Sequence, residues 1–277
     1  MFLFKRNSKT KKVTDSGRTR RIKNIEGELS YQVGNLQKIG ARSSQEDSFA
    51  LINALDVNDI RQNGLFAIVA DGMGGMKDGK LVSETAVAGF VQAFRSLNRD
   101  MDISRQLVDS VSQVNSLLND KFDGEGGTTV VLAMIYKGMA YWVSVGDSSI
   151  YLKRNGGLFK LNRDHTYRNK LYLEELYKVE INKNEVESNK DGVRLSEFLG
   201  NSRVDEIDNN IKPLKLKKND VIMLCSDGIS GFMDEDTISD VLSLPPEIAC
   251  EQLGKLIDGR SHKNQDNLTA VVISCMN

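Results

Sequence analysis

Four aspartates of the 277-residue sequence stand where apolar runs meet glycines or turns. They are Asp71, Asp147, Asp227 and Asp266. Aspartate is depleted in strands, and a neighbouring glycine lets the backbone approach a ligand closely. An Asp-Gly pair taken singly is typical of a turn. Four such acids at the ends of apolar runs instead predict carboxylates that meet at one rim of the fold.

Carboxylates that meet in this way need a compensating cation, because like charges a few ångströms apart raise one another's pKa. Oxygen ligands from Asp, Glu, backbone carbonyls and water suit Mg²⁺ or Mn²⁺ better than Zn²⁺. The sequence has two histidines, His165 and His262, and its three cysteines lack the spacing of zinc ligands. Two divalent ions about 3.5–4 Å apart activate a bridging water and stabilise a phosphoryl group under attack.

The elements that must position these acids come in blocks along the chain. Apolar and alternating runs predict strands over Asp47–Ile52, Leu65–Ala70, Thr128–Tyr136, Ala140–Val145, Ser149–Leu152, Asp220–Cys225 and Leu268–Ser274. Spacings of three and four predict helices over Val82–Leu97, Ile103–Leu118, Asp236–Leu242 and Glu247–Asp258. Turn signals between strands indicate hairpins. Blocks of strands and of helices favour an α+β fold with antiparallel sheets over a doubly wound one.

Residues 166–203 interrupt this order with a long charged excursion that holds one short helical segment, Leu171–Tyr177. We expect a surface flap, because excursions of this length in a compact domain are usually functional or disordered. The segment Leu195–Gly200 is typical of the return of such a flap to the sheet, packed as core.

Charge is divided unevenly along the chain. Residues 1–23 contain nine basic residues and one acid, a charge of +8, so residues 24–277 carry −9 of the net charge of −1. We expect residues 1–27 to be a flexible basic tail that only solubilises, or that contacts an acidic partner, nucleic acid or a membrane surface.

Composition excludes several classes of protein. With 40% hydrophobic and 27% charged residues, the chain is neither disordered nor collagen-like. Its apolar runs fall far short of the roughly 20 residues that span a bilayer, and Met1–Phe4 is too short for a secretory signal. We expect a cytoplasmic globular protein, with Cys225 a core residue of its strand.

Six short motifs then occur in the order of one known family. They are Arg42–Asp47, Val69–Gly75, Gly126–Thr129, Val145–Ser148, Cys225–Gly228 and Asp266–Asn267. From about Glu28 to its end, the sequence resembles the metal-dependent Ser/Thr protein phosphatases of type 2C, the PPM family, in their bacterial branch. The resemblance implies two packed antiparallel sheets flanked by pairs of helices, an αββα sandwich, over residues 28–277.

The resemblance also implies roles for single residues. Asp71 bridges two Mn²⁺ or Mg²⁺ ions, and Arg42 binds the substrate phosphate with its planar guanidinium. The remaining metal ligands are Glu46, the carbonyl of Gly72, Asp227 and Asp266. Asp147 resembles the ligand of a third, weaker metal. Asp47 is expected not to bind a metal itself but to orient waters or one of the metal ligands. The expected reaction is hydrolysis of phosphoserine and phosphothreonine by in-line attack of a metal-bridging hydroxide.

The sequence departs from the family where a general acid is expected. Some members carry His at the position of Met73. Bacterial members with Met at that position commonly carry His at the position of Met76. This chain has His at neither position. His262, four residues before Asp266, is either a substitute acid or an exposed loop histidine, and His165 is expected to be structural. Gly231 replaces a second Asp of the third-metal site.

These departures keep an alternative function open. A pseudophosphatase of the same fold would dock phosphoproteins or regulate a kinase without hydrolysing anything. Retention of mutually repelling acids favours the enzyme, whose expected partners are phosphorylated proteins and a cognate Ser/Thr kinase.

Overall fold

The computed structural model describes residues 28–73, 76, 78–180, 182–260 and 263–276. The strands in these ranges are β1 (Ser30–Lys38), β2 (Ser48–Ile52), β3 (Leu65–Ala70), β4 (Val130–Tyr136), β5 (Met139–Val145), β6 (Ser149–Arg154), β7 (Gly157–Lys160), β8 (Asp208–Asn209), β9 (Leu214–Lys215), β10 (Val221–Cys225) and β11 (Leu268–Met276). They form two sheets in which every pairing is antiparallel. The first sheet has the order β1-β11-β10-β6-β7, and the second β2-β3-β4-β5-β8, with β9 also paired to β5.

The helices connect and cover these sheets. They are α1 (Val57–Asn63), α2 (Gly79–Ser96), α3 (Ile103–Phe122), α4 (Tyr167–Glu175), α5 (Lys183–Ser188), α6 (Asp227–Ser230), α7 (Glu235–Val241) and α8 (Pro246–Arg260), with a 3₁₀ turn at Lys190–Val193. Aspartates cap several of them: the side chain of Asp102 accepts a hydrogen bond from the N–H of Arg105 at the start of α3.

The apolar residues form three layers of core. One cluster lies between the two sheets and contains the residues of one face of β3, such as Leu65 and Val69. A second packs α2 and α3 against the outer face of the second sheet, through residues such as Phe90 and Leu118. A third packs α7 and α8 against the first sheet, through residues such as Leu253. Helices, sheet, sheet and helices therefore stack in that order, and the expected αββα sandwich is confirmed.

The flap is built from α4, α5 and the 3₁₀ turn, and it returns to the body at Leu199. The backbones of Leu199 and Thr128 exchange two hydrogen bonds, of 2.8 and 3.0 Å. The helix of the flap begins at Tyr167, earlier than the expected Leu171, because the Thr166 side chain accepts from the N–H of Asn169 and caps it.

The basic tail and His262 lie outside the described residues, so the expectations for them stay predictions. None of the helices in the described part of the chain combines the length and the apolar character that a bilayer crossing requires.

Candidate metal centre

The antiparallel topology brings the acids of the sequence motifs to one edge of the sandwich. Ala70, the last residue of β3, pairs with Ser48, the first of β2. Val145, the last of β5, pairs with Val130, and Cys225, the last of β10, pairs with Ala270 of β11. The acids that border these strand ends, here called the acidic edge, are Glu46, Asp47, Asp71, Asp147, Asp227 and Asp266.

Asp71 and Asp227 lie at the centre of this edge and their carboxyl groups share a hydrogen bond. Burial raises the pKa of Asp71 well above its ordinary value, and the charges of Asp47, Asp227 and Asp147 raise it further. Burial also raises the pKa of Asp227, while the bond from Asp71 opposes this rise. Of the two carboxyl groups, Asp71 has the more strongly raised pKa. Carboxyl groups that lie this close together and resist ionisation occupy a place suited to a cation.

Asp47 lies behind this pair and is almost fully buried, with 3% of its surface exposed. Its Oδ2 accepts a hydrogen bond of 2.8 Å from the Oγ of Ser226. Burial raises the pKa of Asp47 to about 6. The nearby hydroxyl groups of Thr269 and Ser226 lower this pKa, and repulsion from Asp227 and Asp266 raises it. Its Oδ1 is buried without a hydrogen-bond partner among the described residues.

Two glycines shape the backbone around Glu46. The N–H of Gly72 donates to the carbonyl of Glu46 at 3.2 Å, and a Cβ on Gly72 would lie 2.3 Å from the carbonyl oxygen of Gly79. A Cβ on Gly79 would lie 3.2 Å from Oε2 of Glu46, so that carboxylate rests against the first residue of α2. Ser44 donates to its other oxygen at 3.0 Å. Only a residue without a side chain fits at Gly72.

Asn267, just before β11, bonds at the acidic edge to the segment between β1 and β2. The sequence analysis did not assign it this role. The N–H of Glu46 donates to its Oδ1 at 2.7 Å, and its Nδ2 donates to the carbonyls of Ile39 and Ser44. Its own N–H donates to Oδ1 of Asp266 at 2.8 Å. One side chain therefore fixes the loop of Glu46 relative to Asp266.

Arg42 lies at the outer border of the acidic edge. Its Nη2 is 2.6 Å from Oδ2 of Asp266, with 51% of the Arg42 side chain and 34% of the Asp266 side chain exposed. Its charge lowers the pKa of Asp227. The guanidinium thus contacts the acids and is also exposed to solvent. An anion that arrives from solvent can therefore reach it.

Asp147 follows β5 on a loop that His165 holds in place. The N–H of Gly146 donates to Nδ1 of His165 at 3.0 Å, and the N–H of His165 donates back to the Gly146 carbonyl at 2.8 Å. Burial raises the pKa of Asp147 to about 7, and repulsion from Asp227 and Asp164 adds to it. The expected structural role of His165 thus includes the position of Asp147, a contact that spacing alone could not reveal.

Two threonines hold the backbone of Asp71 from below. The Oγ1 of Thr128 and the N–H of Thr129 both donate to the carbonyl of Asp71, at 2.8 and 2.9 Å. The N–H of Asp71 donates to Oγ1 of Thr129, which bonds in turn to Ser148. The Gly-Gly-Thr-Thr motif therefore works as a support for Asp71.

Beside Asp71, two thioethers and one ring form a half-buried apolar surface over Gly127. A Cβ on Gly127 would lie 2.6 Å from the sulfur of Met73, 2.8 Å from that of Met76 and 2.9 Å from the ring of Phe198. This group, here called the methionine ledge (Met73, Met76 and Phe198), joins the β3–α2 connection to the return of the flap. It stands at the positions where the family resemblance led us to look for a general acid.

The residues at the acidic edge fit divalent cations in chemistry. Within the described residues, no three acidic, His or Cys side chains already surround one point. Asp266 is paired with Arg42 instead. Oδ1 of Asp47 and Oδ1 of Asp227 are nevertheless buried and lack hydrogen-bond partners among those residues. Buried, mutually repelling oxygen donors of this kind suit Mg²⁺ or Mn²⁺.

Comparison with known proteins decides the family. The model of the family described as protein phosphatase 2C matches residues 38–253, more than three quarters of the chain. The chain belongs to the protein phosphatase 2C family. It is 28% identical over 221 residues to the serine/threonine phosphatase stp of Listeria welshimeri, a match that covers 77% of this chain and 85% of that protein.

Solved structures agree on the fold of this phosphatase. The crystal structure of the serine/threonine phosphatase Stp1 from Staphylococcus aureus superposes with a TM-score of 0.73 at 22% identity, covering 91% of this chain and 99% of that one. The catalytic domain of the phosphatase PstP, solved in complex with two manganese ions, superposes with a TM-score of 0.69 at 22% identity, covering 90% and 100%.

Proposed function

We propose that this protein phosphatase hydrolyses phosphoserine and phosphothreonine side chains at the acidic edge, with two Mn²⁺ or Mg²⁺ ions as cofactors. Membership of the family makes the protein a phosphoprotein phosphatase, a hydrolase of phosphoric monoesters. The observation that carries the proposal for the site is that Oδ1 of Asp47 and Oδ1 of Asp227 are buried without hydrogen-bond partners among the described residues. The charges of Asp47, Asp227 and Asp147 also raise the pKa of Asp71 beside them. Such crowding of acids is costly unless cations relieve it.

The oxygen donors at this edge would suffice for two cations. Asp71, Glu46 and the Gly72 carbonyl would hold one ion, and Asp227 and Asp266, together with Asp71, would hold the other. Asp147, on the loop that His165 holds, would hold a third. When bound, the ions supply a nucleophilic water at neutral pH and neutralise charge on the phosphoryl oxygens during in-line attack.

Arg42 and Asp47 serve the reaction from opposite sides of the edge. Arg42 is half exposed and donates two N–H groups side by side, so it receives the substrate phosphate in bidentate fashion. Asp47, buried and bonded to Ser226, orients what lies in front of it. Neither Met73 nor Met76 can give a proton to the departing alkoxide, because a thioether has none to give.

The natural substrates are phosphorylated proteins, and a Ser/Thr kinase that produces them is the expected partner. We place the enzyme in the cytoplasm. The alternative of a catalytically dead docking module gains nothing from the relatives, which are named as phosphatases.

The experiment measures hydrolysis of a phosphothreonine peptide by the full chain with Mn²⁺, with excess chelator, and after Asp227→Asn. We expect chelation to abolish turnover and Asp227→Asn to lower kcat by about 10³-fold or more, a loss of several kcal/mol of transition-state stabilisation. Asp109→Asn, an exposed position on α3, is the matched control and leaves turnover unchanged.

Turnover that survives the chelator contradicts the proposed metal mechanism. Equal turnover of the Asp227→Asn and Asp109→Asn proteins contradicts the assigned site. A protein that neither turns over nor binds Mn²⁺ in calorimetry is the docking module instead.

A further inference from the structure

The end of the sandwich opposite the acidic edge has a different chemical character. The β4–β5 hairpin turns there at Lys137 and Gly138, and the seven residues of β4 separate this turn from the acidic edge by about 20 Å. We call this end the basic face and define it by Leu55, Met101, Lys137, Ile211 and Lys215.

Two adjoining clefts open on the basic face. The first, of about 390 Å³, is lined by Leu55 and Lys215 among others, and the second, of about 440 Å³, by Met101 and Ile211 among others. Lys137 and the neighbouring Met139 line both clefts. The residues of the basic face therefore border one continuous surface rather than scattered positions.

Cations dominate this surface. Lys137 and Lys215 are exposed, as are three lysines of the segment that enters β10: Lys212, Lys217 and Lys218. Within the described part of the chain, none of these five lysines lies within 4.0 Å of a carboxylate oxygen. Their charge is thus available to an outside partner.

Four acids at this end bond to other groups, whereas Asp59 and Asp100 are exposed. Glu28 pairs with Arg61 at 2.7 Å, and Asp220 is buried against Arg154 at 2.6 Å. Asp102 accepts from a backbone N–H at the start of α3, and Asp56 does the same at the start of α1. They offset the lysines only in part.

Exposed aliphatic side chains stand among the lysines. Leu55 is 98% exposed, Ile211 87% and Met101 65%. Leucine and isoleucine at such exposure, interleaved with lysine, match a bilayer interface, where apolar side chains enter the acyl boundary and cations meet anionic headgroups. Proteins that bind single-stranded nucleic acid instead stack bases on exposed aromatic rings. The rings that line the second cleft, Tyr136 and Tyr141, are half-buried, and Lys137 lies over the Tyr136 ring at 4.9 Å from its centre.

The basic tail joins the chain at the same end. Glu28, the first described residue, lines the first cleft, so the +8 charge of residues 1–23 is tethered within a few residues of the basic face. Each added lysine or arginine near an anionic surface strengthens binding to it.

We propose that the basic face docks this phosphatase on an anionic phospholipid bilayer. Lysines meet the headgroups, Leu55 and Ile211 enter the interface, and the acidic edge faces away from the membrane. An edge rich in carboxylates is repelled by the same headgroups, which sets the orientation.

The test is co-sedimentation of the full chain with vesicles of neutral phosphatidylcholine and with vesicles that contain about 30% phosphatidylglycerol. We expect binding only to the anionic vesicles, falling steeply with salt. The triple substitution Lys137→Gln, Lys215→Gln and Lys217→Gln should weaken partition by about 100-fold, since each lysine contributes about fivefold. Leu55→Ser with Ile211→Ser should weaken it by about tenfold and leave the salt dependence unchanged.

The matched control removes the same charge elsewhere, by Lys121→Gln, Lys183→Gln and Lys255→Gln, and should alter binding far less. Unchanged hydrolysis of an aryl phosphate and an unchanged thermal midpoint establish that each variant is folded. Equal weakening by both triple substitutions, or equal binding to neutral vesicles, overturns the proposal. Lysine-dependent binding of single-stranded RNA without vesicle binding overturns it too and assigns the face to nucleic acid.

Discussion

Single residues at the acidic edge divide into those that spacing reveals and those that only contacts reveal. Asp71 and Asp227 can be found from sequence because an acid that ends a buried strand beside a glycine breaks the local pattern. Asn267 and His165 give no such signal, since they bond to residues 221 and 19 positions away. The ion pair of Arg42 with Asp266, 224 residues apart, was equally beyond prediction.

The methionine ledge leads to a prediction about leaving groups. An alkoxide needs a proton as the P–O bond breaks, whereas an aryl oxide does not, and positioned acid catalysis is worth about 10²–10⁴-fold. Because Met73 and Met76 supply no proton, we expect the enzyme to favour aryl phosphates. Met76→His should raise kcat/KM on a phosphothreonine peptide relative to an aryl phosphate by at least about tenfold. The ratio of the two rates, measured on the same preparation, checks this.

Met101→His provides the control, because Met101 is exposed at the far end of the molecule. The idea fails if the rate ratio is the same in the Met76→His, Met101→His and unchanged proteins. A fall in both rates together would report damage to the ledge and not acid catalysis.

At the scale of elements, the buried strands, the long amphipathic helices and the edge strand β2 were predictable, whereas the other edge strands were not. The strand β3, buried along its whole length, ends where the sequence analysis placed it, at Ala70. The strand β1 was missed because it is an edge strand whose polar residues face solvent, and because Gly34 interrupts its apolar pattern. That glycine is needed for packing: a Cβ there would lie 2.4 Å from the carbonyl oxygen of Pro246 in α8.

The return of the flap depends on one helix. The Oδ1 of Asn115 on α3 accepts from the N–H of Gly200 at 2.8 Å, and its Nδ2 donates to the carbonyl of Asn201 at 2.9 Å. Leu199, beside them, pairs with Thr128, which bonds to the carbonyl of Asp71. A buried amide on α3 is thereby connected to the acidic edge.

We expect Asn115→Ala to lower the free energy of unfolding by about 1–3 kcal/mol, because it leaves the buried N–H of Gly200 without an acceptor. It should also weaken Mn²⁺ binding by about tenfold, since the support of Asp71 loosens. Urea unfolding and calorimetric titration measure the two effects. Asn119→Ala is the matched control with a smaller effect, because Asn115 still bonds to the carbonyl of Asn201. Equal effects of the two substitutions would contradict this account of the flap.

At the scale of the whole molecule, the sandwich keeps unlike charges apart. Carboxylates gather at one end of the strands, and exposed lysines at the other. The net charge of −1 conceals this separation, and only the antiparallel register turns charges spread along the sequence into two ends. Without a cation, the acidic end lowers the free energy of unfolding, because burial opposes ionisation of its carboxyl groups.

This separation predicts how stability depends on pH without metal. The folded-state pKa values of Asp47 and Asp147 are raised to about 6 and about 7, so the unfolded chain releases these protons first. The stability that these groups contribute is therefore present below a pH of about 4 and is lost as the pH rises towards about 7. For Asp47 alone the loss is on the order of 3 kcal/mol.

We expect Asp47→Asn, which keeps an acceptor for Ser226, to be more stable than the unchanged protein in chelator at a pH of about 7.5, but not at about 4. Mn²⁺ should cancel most of this difference at the higher pH, because at about 100 times its dissociation constant it adds about 2.7 kcal/mol to the unchanged protein and less to a variant without the Asp47 charge. Urea unfolding at both pH values, with Mn²⁺ and with chelator, measures all four differences. Parallel pH curves for the two proteins would mean that Asp47 titrates alike in the folded and unfolded chains. Buried repulsion would then not be what the cations relieve.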